Sequence, residues 1–504
     1  MHISLKAAIE AGMDNLIRWG RHMAQGDPVQ VVAKGHPDIP HWHVRHNVGR
    51  AIDALLRGGD VTAKPVPPDV EDVLRQYLFA SMDNPTHLNG AFTPEQGRIL
   101  FHAHDVREAL LSLTALIQYR QDDEARQRAQ DVLDAIERLT NEDGTFCAEV
   151  VARFPMLVEG YFGEQRPNAE GKAMTIACWT RGRWIMALCR YYRATNDARA
   201  LELAQRFVRL VRRISFTDDG RIRPTENGHA HSLTGTVHGL IDYGLLVGDQ
   251  ETFEHGRRIF DTGLPAVSSS YGWSVEAAWG NPQRPERGEV NNTGDMIQTA
   301  LLMGGAGLPQ YFEDAERRIR SHVLPSQTGD DGWGFPAPND LDGGSGPVSI
   351  LDITAGAVQA LCEASRALVT RGTAGRHVNL PFSNWADETR LVSRLPEQWH
   401  VTVTPADAGD LFIRIPSWAD RQRIRLTVAD QPQQPTFAVS WLVLTDLPAG
   451  THVVVDQPFV EREAEEVVNE KPYRILWRGD QVVAMSPEGP THPMFPSIEA
   501  YRRD

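Results

Sequence analysis

Between about residues 45 and 370 of this chain the same helical hairpin keeps returning. It reads ALIQYRQDDEARQRAQDVL at 115–133, ALCRYYRATNDARALELAQRFVRLV at 187–211 and LIDYGLLVGDQETFEHGRRIF at 240–260. In each, an aromatic helix end leads into a short turn (Asp122 and Asp123, Asn196 and Asp197, Gly248 and Asp249) and then into a second amphipathic helix. Such turn residues suit a helix stop followed by an N-cap. A looser copy at 300–319 keeps the idea with Gly307 and Pro309. Hairpins that cannot bury both faces alone must stack, so the run closes into a ring or continues as a solenoid. The ring is preferred, because the intervening segments are long, irregular and rich in Trp, His and Gly, as loops around one mouth would be.

After Gly375 the texture changes. HVTVT at 400–404, DLFIRIP at 410–416, IRLTV at 424–428, WLVLTDL at 441–447 and THVVVDQPF at 451–459 alternate in the manner of strands between Pro, Gly and Asp turns. The expected architecture is an α/α toroid of six hairpins over residues 1–375, followed by a β-sandwich over 376–504. RILW and QVVAMS read as further strands in a tail whose pairing the pattern leaves open.

A formal charge of −15 argues against nucleic acid and against an anionic membrane surface as partners. No window of 18 apolar residues occurs, and Glu10, Asp14 and Arg18 interrupt the start where a signal peptide needs an apolar run. A cytoplasmic protein is expected, unless an export signal preceded this sequence. The four cysteines, Cys147, Cys178, Cys189 and Cys362, show no paired spacing and read as buried reduced thiols.

Polar groups that could carry chemistry gather in five places. His36, His41, His43 and His46 flank Trp42 just before a helix; sugar hydrogen bonding is the reading for His43 and His46, and structural histidines are the plain alternative. His102, His104 and Asp105, then His229 and His231, stand at the starts of two further helices, where neutral imidazoles could meet sugar hydroxyls; His238, one turn on, reads as core. The segment 268–303 offers Trp273, Glu276, Trp279, Glu289, Asn291, Asn292 and Asp295. Glycoside hydrolysis needs a proton donor, a second carboxyl and aromatic surface, and this segment holds all three, although a loop glutamate is usually only a solvated charge. Asp352 follows a Gly-rich loop at 332–346, where a helix N-cap is the plainer explanation and is sufficient by itself.

The order of these motifs, with LFIRIPSWAD at 411–420 and YRILWRGDQVVAMSPEG at 473–489, resembles the β-L-arabinofuranosidase-like enzymes of glycoside hydrolase family 127. The resemblance implies a glutamate acid/base and a cysteine nucleophile on a zinc ion held by a Glu-Thr-Cys tripeptide and a later cysteine pair. In this sequence Glu276 falls near the acid/base position and Glu289 keeps the tripeptide glutamate, but Asn291 stands for its cysteine, and Asp352 and Ile353 lie where the pair would be. A thiolate zinc site is therefore not expected, nor any other cofactor. The expectation is two-carboxylate hydrolysis, with Glu276 as acid and Glu289 or Asp352 as base or nucleophile, and His43, His46, His102, His104, His229, His231, Trp273, Asn291 and Asn292 around a short oligosaccharide ending in a furanoside or deoxy-sugar. Two other classes stay open: an epimerase or lyase using the histidine pairs His102/His104 and His229/His231, and a carbohydrate-binding protein without chemistry; under any of the three readings the sandwich offers a contact for a homodimer, and the sequence leaves the oligomeric state open.

Overall fold

A computed structural model of the chain describes residues 4–24, 42–93, 98–101, 103, 105–153, 164–167, 171–279, 286–386, 389–395 and 397–503. The helices that build the fold are α1 (Leu5–Ala24), α2 (Trp42–Thr62), α3 (Pro68–Met82), α4 (Asp105–Arg120), α5 (Asp123–Leu139), α6 (Arg183–Thr195), α7 (Ala198–Ile214), α8 (Ala230–Val247), α9 (Gln250–Arg258), α10 (Val290–Gly305), α11 (Gln310–Arg318) and α12 (Leu351–Arg366). Each even-numbered helix packs on the next, α2 on α4, α6, α8, α10 and α12 in turn, and α12 returns to α2. The ring is thus closed, and the odd-numbered helices wrap it: α3, α5, α7, α9 and α11 each pack on the helix before them, and α1 lies against α12, α2 and α3. This is the α/α toroid.

The hairpin turns form as their residues dictate. Asp122, Asp197 and Asp249 cap α5, α7 and α9 through side-chain oxygens that accept Ala125, Arg199 and Thr252 N–H, while Asn196 and Gly248 close α6 and α8 in the left-handed conformation. Outer and inner helices differ in what they bury. Outer α5 buries one stripe (Ala125, Ala129, Val132, Ile136, Leu139), whereas inner α8 is buried on every side from Ala230 to Gly244. Inner helices must therefore meet one another closely. At Gly356 in α12 an added Cβ would come within 2.8 Å of Asn291 Cβ in α10. Gly356→Ala is expected to force these two helices apart at the mouth of the ring, costing about 1–3 kcal/mol by urea denaturation and lowering any activity at temperatures where the variant is still folded.

The ring ends at Arg366, and the strand Val369–Gly372 follows at once, already paired with Gly375–Val378. One sheet runs in the order 436–438, 441–447, 409–414, 375–378, 369–372 and the other 431–433, 425–428, 453–457, 399–405, 389–393, 384–386. The alternation legible in HVTVT is the burial of every second residue of Trp399–Pro405. The tail resolves into a third, three-stranded antiparallel sheet of Glu461–Val468, Lys471–Arg478 and Gln481–Ser486. It grips the toroid: Val482 N–H donates to Ser321 Oγ, which donates to Asp480 O, and the buried Arg414 of the sandwich pairs with Glu316 of α11. No helix among the described residues is long and apolar enough to cross a membrane.

Candidate active site

All six inner helices bring polar side chains from their first two or three turns to one end of the ring. From α2 come His46 and Arg50; from α4 Asp105, Arg107 and Glu108; from α6 Arg183; from α8 His231, with His229 just before it; from α10 Asn291 and Asp295, with Glu289 at its N-cap; from α12 Asp352. Helix N-termini carry partial positive charge, so a place where several converge favours carboxylates.

The floor is a buried ion network. Glu108 Oε1 accepts from Arg50 (3.0 Å), Arg107 (3.1 Å) and Arg183 (3.0 Å). Burial alone would raise the Glu108 carboxyl, but these guanidiniums outweigh it and hold the group far below its ordinary value. Arg107 also donates to Asp295 Oδ1 at 3.3 Å, and Asp295 Oδ2 takes a hydrogen bond from Thr234 and lies 3.3 Å from His231 Nε2. His231 is buried, and burial with the charges of Arg183, Arg50 and Arg107 drives it well below its ordinary pKa. Around this neutral ring, Nδ1 lies near the donors of Arg50 (3.2 Å), Arg183 (3.3 Å) and Asn291 Nδ2 (3.4 Å), and Nε2 is 3.3 Å from both Asp295 Oδ2 and an Arg107 guanidinium nitrogen.

His46 joins three inner helices. Its Nδ1 is 3.1 Å from Asp105 Oδ1 and its Nε2 3.7 Å from Asp352 Oδ2. Burial and Arg50 push its pKa down, yet the hydrogen bonds to Asp105 and Asp352 outweigh them and leave it raised. Asp352 thus faces an imidazole that favours its proton and, through its main-chain carbonyl, Arg50 at 3.1 Å.

Above this floor stand the two glutamates. Glu276 lies on an extended segment bonded on one side to Arg287 O and on the other to Ala230 N–H, and its Oε2 is 3.3 Å from Arg287 Nε. Glu289 is 7% exposed. Burial first, then the carboxylates of Glu276 and Asp352, push it up to about 8 against Arg287 and Arg50. Its proton is therefore held more tightly than that of an ordinary carboxyl.

Thus the fold brings both Glu276 and Asp352 within electrostatic reach of Glu289, with His46, His229, His231 and Asn291 nearby. His229 stacks on Trp179 at 5.0 Å and 7°, and burial with the charges of Arg183 and Arg50 takes it down to about 3. Two residues read from the sequence as sugar contacts are corrected. Trp273 is 2% exposed with its indole N–H given to Pro336 O, and Asn292 is fully buried with its amide on Val275 O and Ser274; both support the loop from within. His102, His104 and the side chain of His43 lie outside the described residues. Arg50, Arg107, Glu108 and Arg183 went unnoticed in the sequence. Their signal was an Arg-Glu pair inside FHAHDVREALL, on a helix buried from Asp105 to Ile117 that leaves charges no solvent face.

The sequence pattern described as "Beta-L-arabinofuranosidase, GH127 catalytic domain" matches residues 72–263. Over that stretch the chain carries the pattern of a β-L-arabinofuranosidase-like glycoside hydrolase. No curated protein sequence matches this GH127-like chain. Among solved structures it is similar to a GH127 β-L-arabinofuranosidase from Geobacillus stearothermophilus T6, with TM-score 0.66 and 12% identity over 96% of this chain and 85% of that one. A GH127 β-arabinofuranosidase gives TM-score 0.67 and 14% identity over 96% and 83%, and a further glycoside hydrolase 0.60 and 16% over 88% and 77%. At these identities the structural likeness is one of fold.

The zinc ion that the resemblance implies does not fit this GH127-like site. Its positions here hold Glu289, the Asn291 amide, Asp352 and Ile353, an aliphatic side chain with no exposure, so no thiolate is present there. Cys178, Cys189 and Cys362 are buried elsewhere, their thiols pushed up by burial. Among the described residues no group of three or more His, Cys, Asp or Glu could hold a metal.

Proposed function

We propose that this protein hydrolyses the terminal linkage of a short oligosaccharide, a furanoside or deoxy-sugar with β-L-arabinofuranosides foremost, by carboxyl chemistry without zinc. The observation that carries the reading is Glu289: a carboxyl raised to about 8 by burial first, and then by the facing carboxylates of Glu276 and Asp352, is a proton donor poised at neutral pH. This moves the acid from Glu276, where the sequence put it, to Glu289. Glu289 gives its proton to the glycosidic oxygen as the bond to the anomeric carbon breaks and the electron pair leaves with that oxygen. Asp352, beside His46 and Arg50, supplies the second carboxylate, which meets the oxocarbenium-like centre by attack or by taking a proton from water. Glu276, paired with Arg287, adds negative charge that keeps Glu289 protonated.

The epimerase or lyase alternative asks for histidines titrating near neutrality, and His229 and His231 are both held well below that range. The test is a screen of aryl and oligosaccharide β-L-arabinofuranosides with the wild type and with Glu276→Gln and Asp352→Asn. Turnover is expected for the wild type, with roughly a hundredfold or greater loss in Asp352→Asn and a smaller loss in Glu276→Gln accompanied by a basic pH limb displaced toward lower pH. Full turnover by Asp352→Asn would refute the assignment of roles, and no turnover of any furanoside or deoxy-sugar glycoside by the wild type would refute the function.

A further inference from the structure

Among the described residues near this site, Trp279 is an exposed large aromatic side chain: it is 49% exposed, whereas Trp273, six residues earlier, is buried. Its indole is nevertheless fixed. The Nε1–H donates to Glu226 O at 2.7 Å, and the neighbouring Ala278 N–H donates to Gly228 O at 2.6 Å. The ring rests on Gly228, which has φ +76°; a Cβ there would fall 2.5 Å from both Cδ1 and Nε1, so this seat exists only because residue 228 is glycine.

The same extended segment carries Glu276, and it bridges to His229 through Ala277. Trp279 is therefore three residues along the chain from a carboxyl of the site, and its seat, Gly228, adjoins His229 of the His229–Trp179 stack, whereas Glu108, His231 and the three arginines of the floor are buried. A rigid indole left open beside these carboxyl-bearing segments offers an apolar face to the C–H side of a sugar ring at little entropic cost.

We propose that Trp279 is the platform for the second sugar of the substrate, the ring on the leaving-group side of the scissile bond, and so a determinant of specificity for oligosaccharides over monosaccharide derivatives. This rests on the hydrolase reading above, in which the enclosed pocket takes the terminal sugar.

Calorimetry with a β-L-arabinofuranosyl disaccharide and with free L-arabinose, in a Glu289→Gln background, separates the two ideas. The disaccharide is expected to bind more tightly than the monosaccharide, and Trp279→Ala to remove that advantage by roughly tenfold or more, with Trp279→Phe keeping most of it. In active protein the same change should lower kcat/KM for the disaccharide relative to a β-L-arabinofuranosyl fluoride, whose leaving group has no ring to stack. An undiminished preference in Trp279→Ala, or equal weakening toward both sugars, overturns the platform. A retained, Trp279-dependent preference without hydrolysis by the wild type overturns the hydrolase reading and leaves the platform standing. Failure of the Glu289→Gln protein to bind either sugar overturns both.

Discussion

Glu289→Gln is expected to lower kcat/KM by about 10²–10⁴-fold, the usual worth of a positioned acid, and at pH 9 to leave the protein more stable than the wild type. The second half follows from the same burial as the first. The carboxyl has its ordinary value of 4.5 in the unfolded chain and is raised to about 8 in the fold. Its contribution to stability is thus fully present below 4.5 and is lost as pH rises through 8, because the unfolded state gives up the proton first. At about 1.4 kcal/mol per pKa unit, ionisation costs the wild type several kcal/mol by pH 9. Glutamine resembles the protonated acid and cannot ionise, so it escapes that cost. Urea denaturation at pH 4 and pH 9 measures it: little difference is expected at pH 4 and a more stable variant at pH 9. A variant that is inactive and also less stable at pH 9 would make Glu289 a structural carboxylate.

Glu108→Gln is expected to have the opposite signature, a loss of about 3–5 kcal/mol, as when one partner of a buried ion network is removed. Three guanidiniums converge on one oxygen of a side chain that is 1% exposed, and without its charge Arg50, Arg107 and Arg183 would be left with Asp295 as the counter-ion on the floor. The folded carboxyl lies below its ordinary 4.5, so this stabilisation is present above that value and fades only as pH falls below it. The deficit of the variant should accordingly be constant from about pH 6 to 8, measured by denaturant titration across that range. A cost under about 1 kcal/mol would mean that water, not Glu108, balances the arginines.

These two glutamates also mark how far the sequence could be read. Local chemistry was legible: Asp122, Asp197 and Asp249 announce caps because a cap needs only its own next three residues, and strand alternation needs only its own pleat. Ring closure was inferred from repetition, while the contacts that make it, such as His46 to Asp352 across the α2–α12 seam, join residues too far apart for any periodicity to link. Within the site, Glu276, Glu289 and Asp352 stood out as carboxyls in irregular, Trp- and Gly-rich segments. Their roles did not, because which carboxyl keeps its proton depends on burial and on the other two. Trp273 was misjudged for the same reason: an indole in a polar loop looks exposed until Pro336 is seen to take its N–H. Arg50, Arg107 and Arg183 were overlooked because a charge in a helix is ordinarily a solvated face, and here the inner helices have none.

The central claim is that Glu289 delivers a proton in a site that needs no metal. It is tested by kcat/KM against pH for hydrolysis of a β-L-arabinofuranoside by enzyme stripped with chelator. Full activity with a basic limb near pH 8 is the predicted result; activity that vanishes on stripping and returns with zinc, or a profile flat through pH 8, would contradict it.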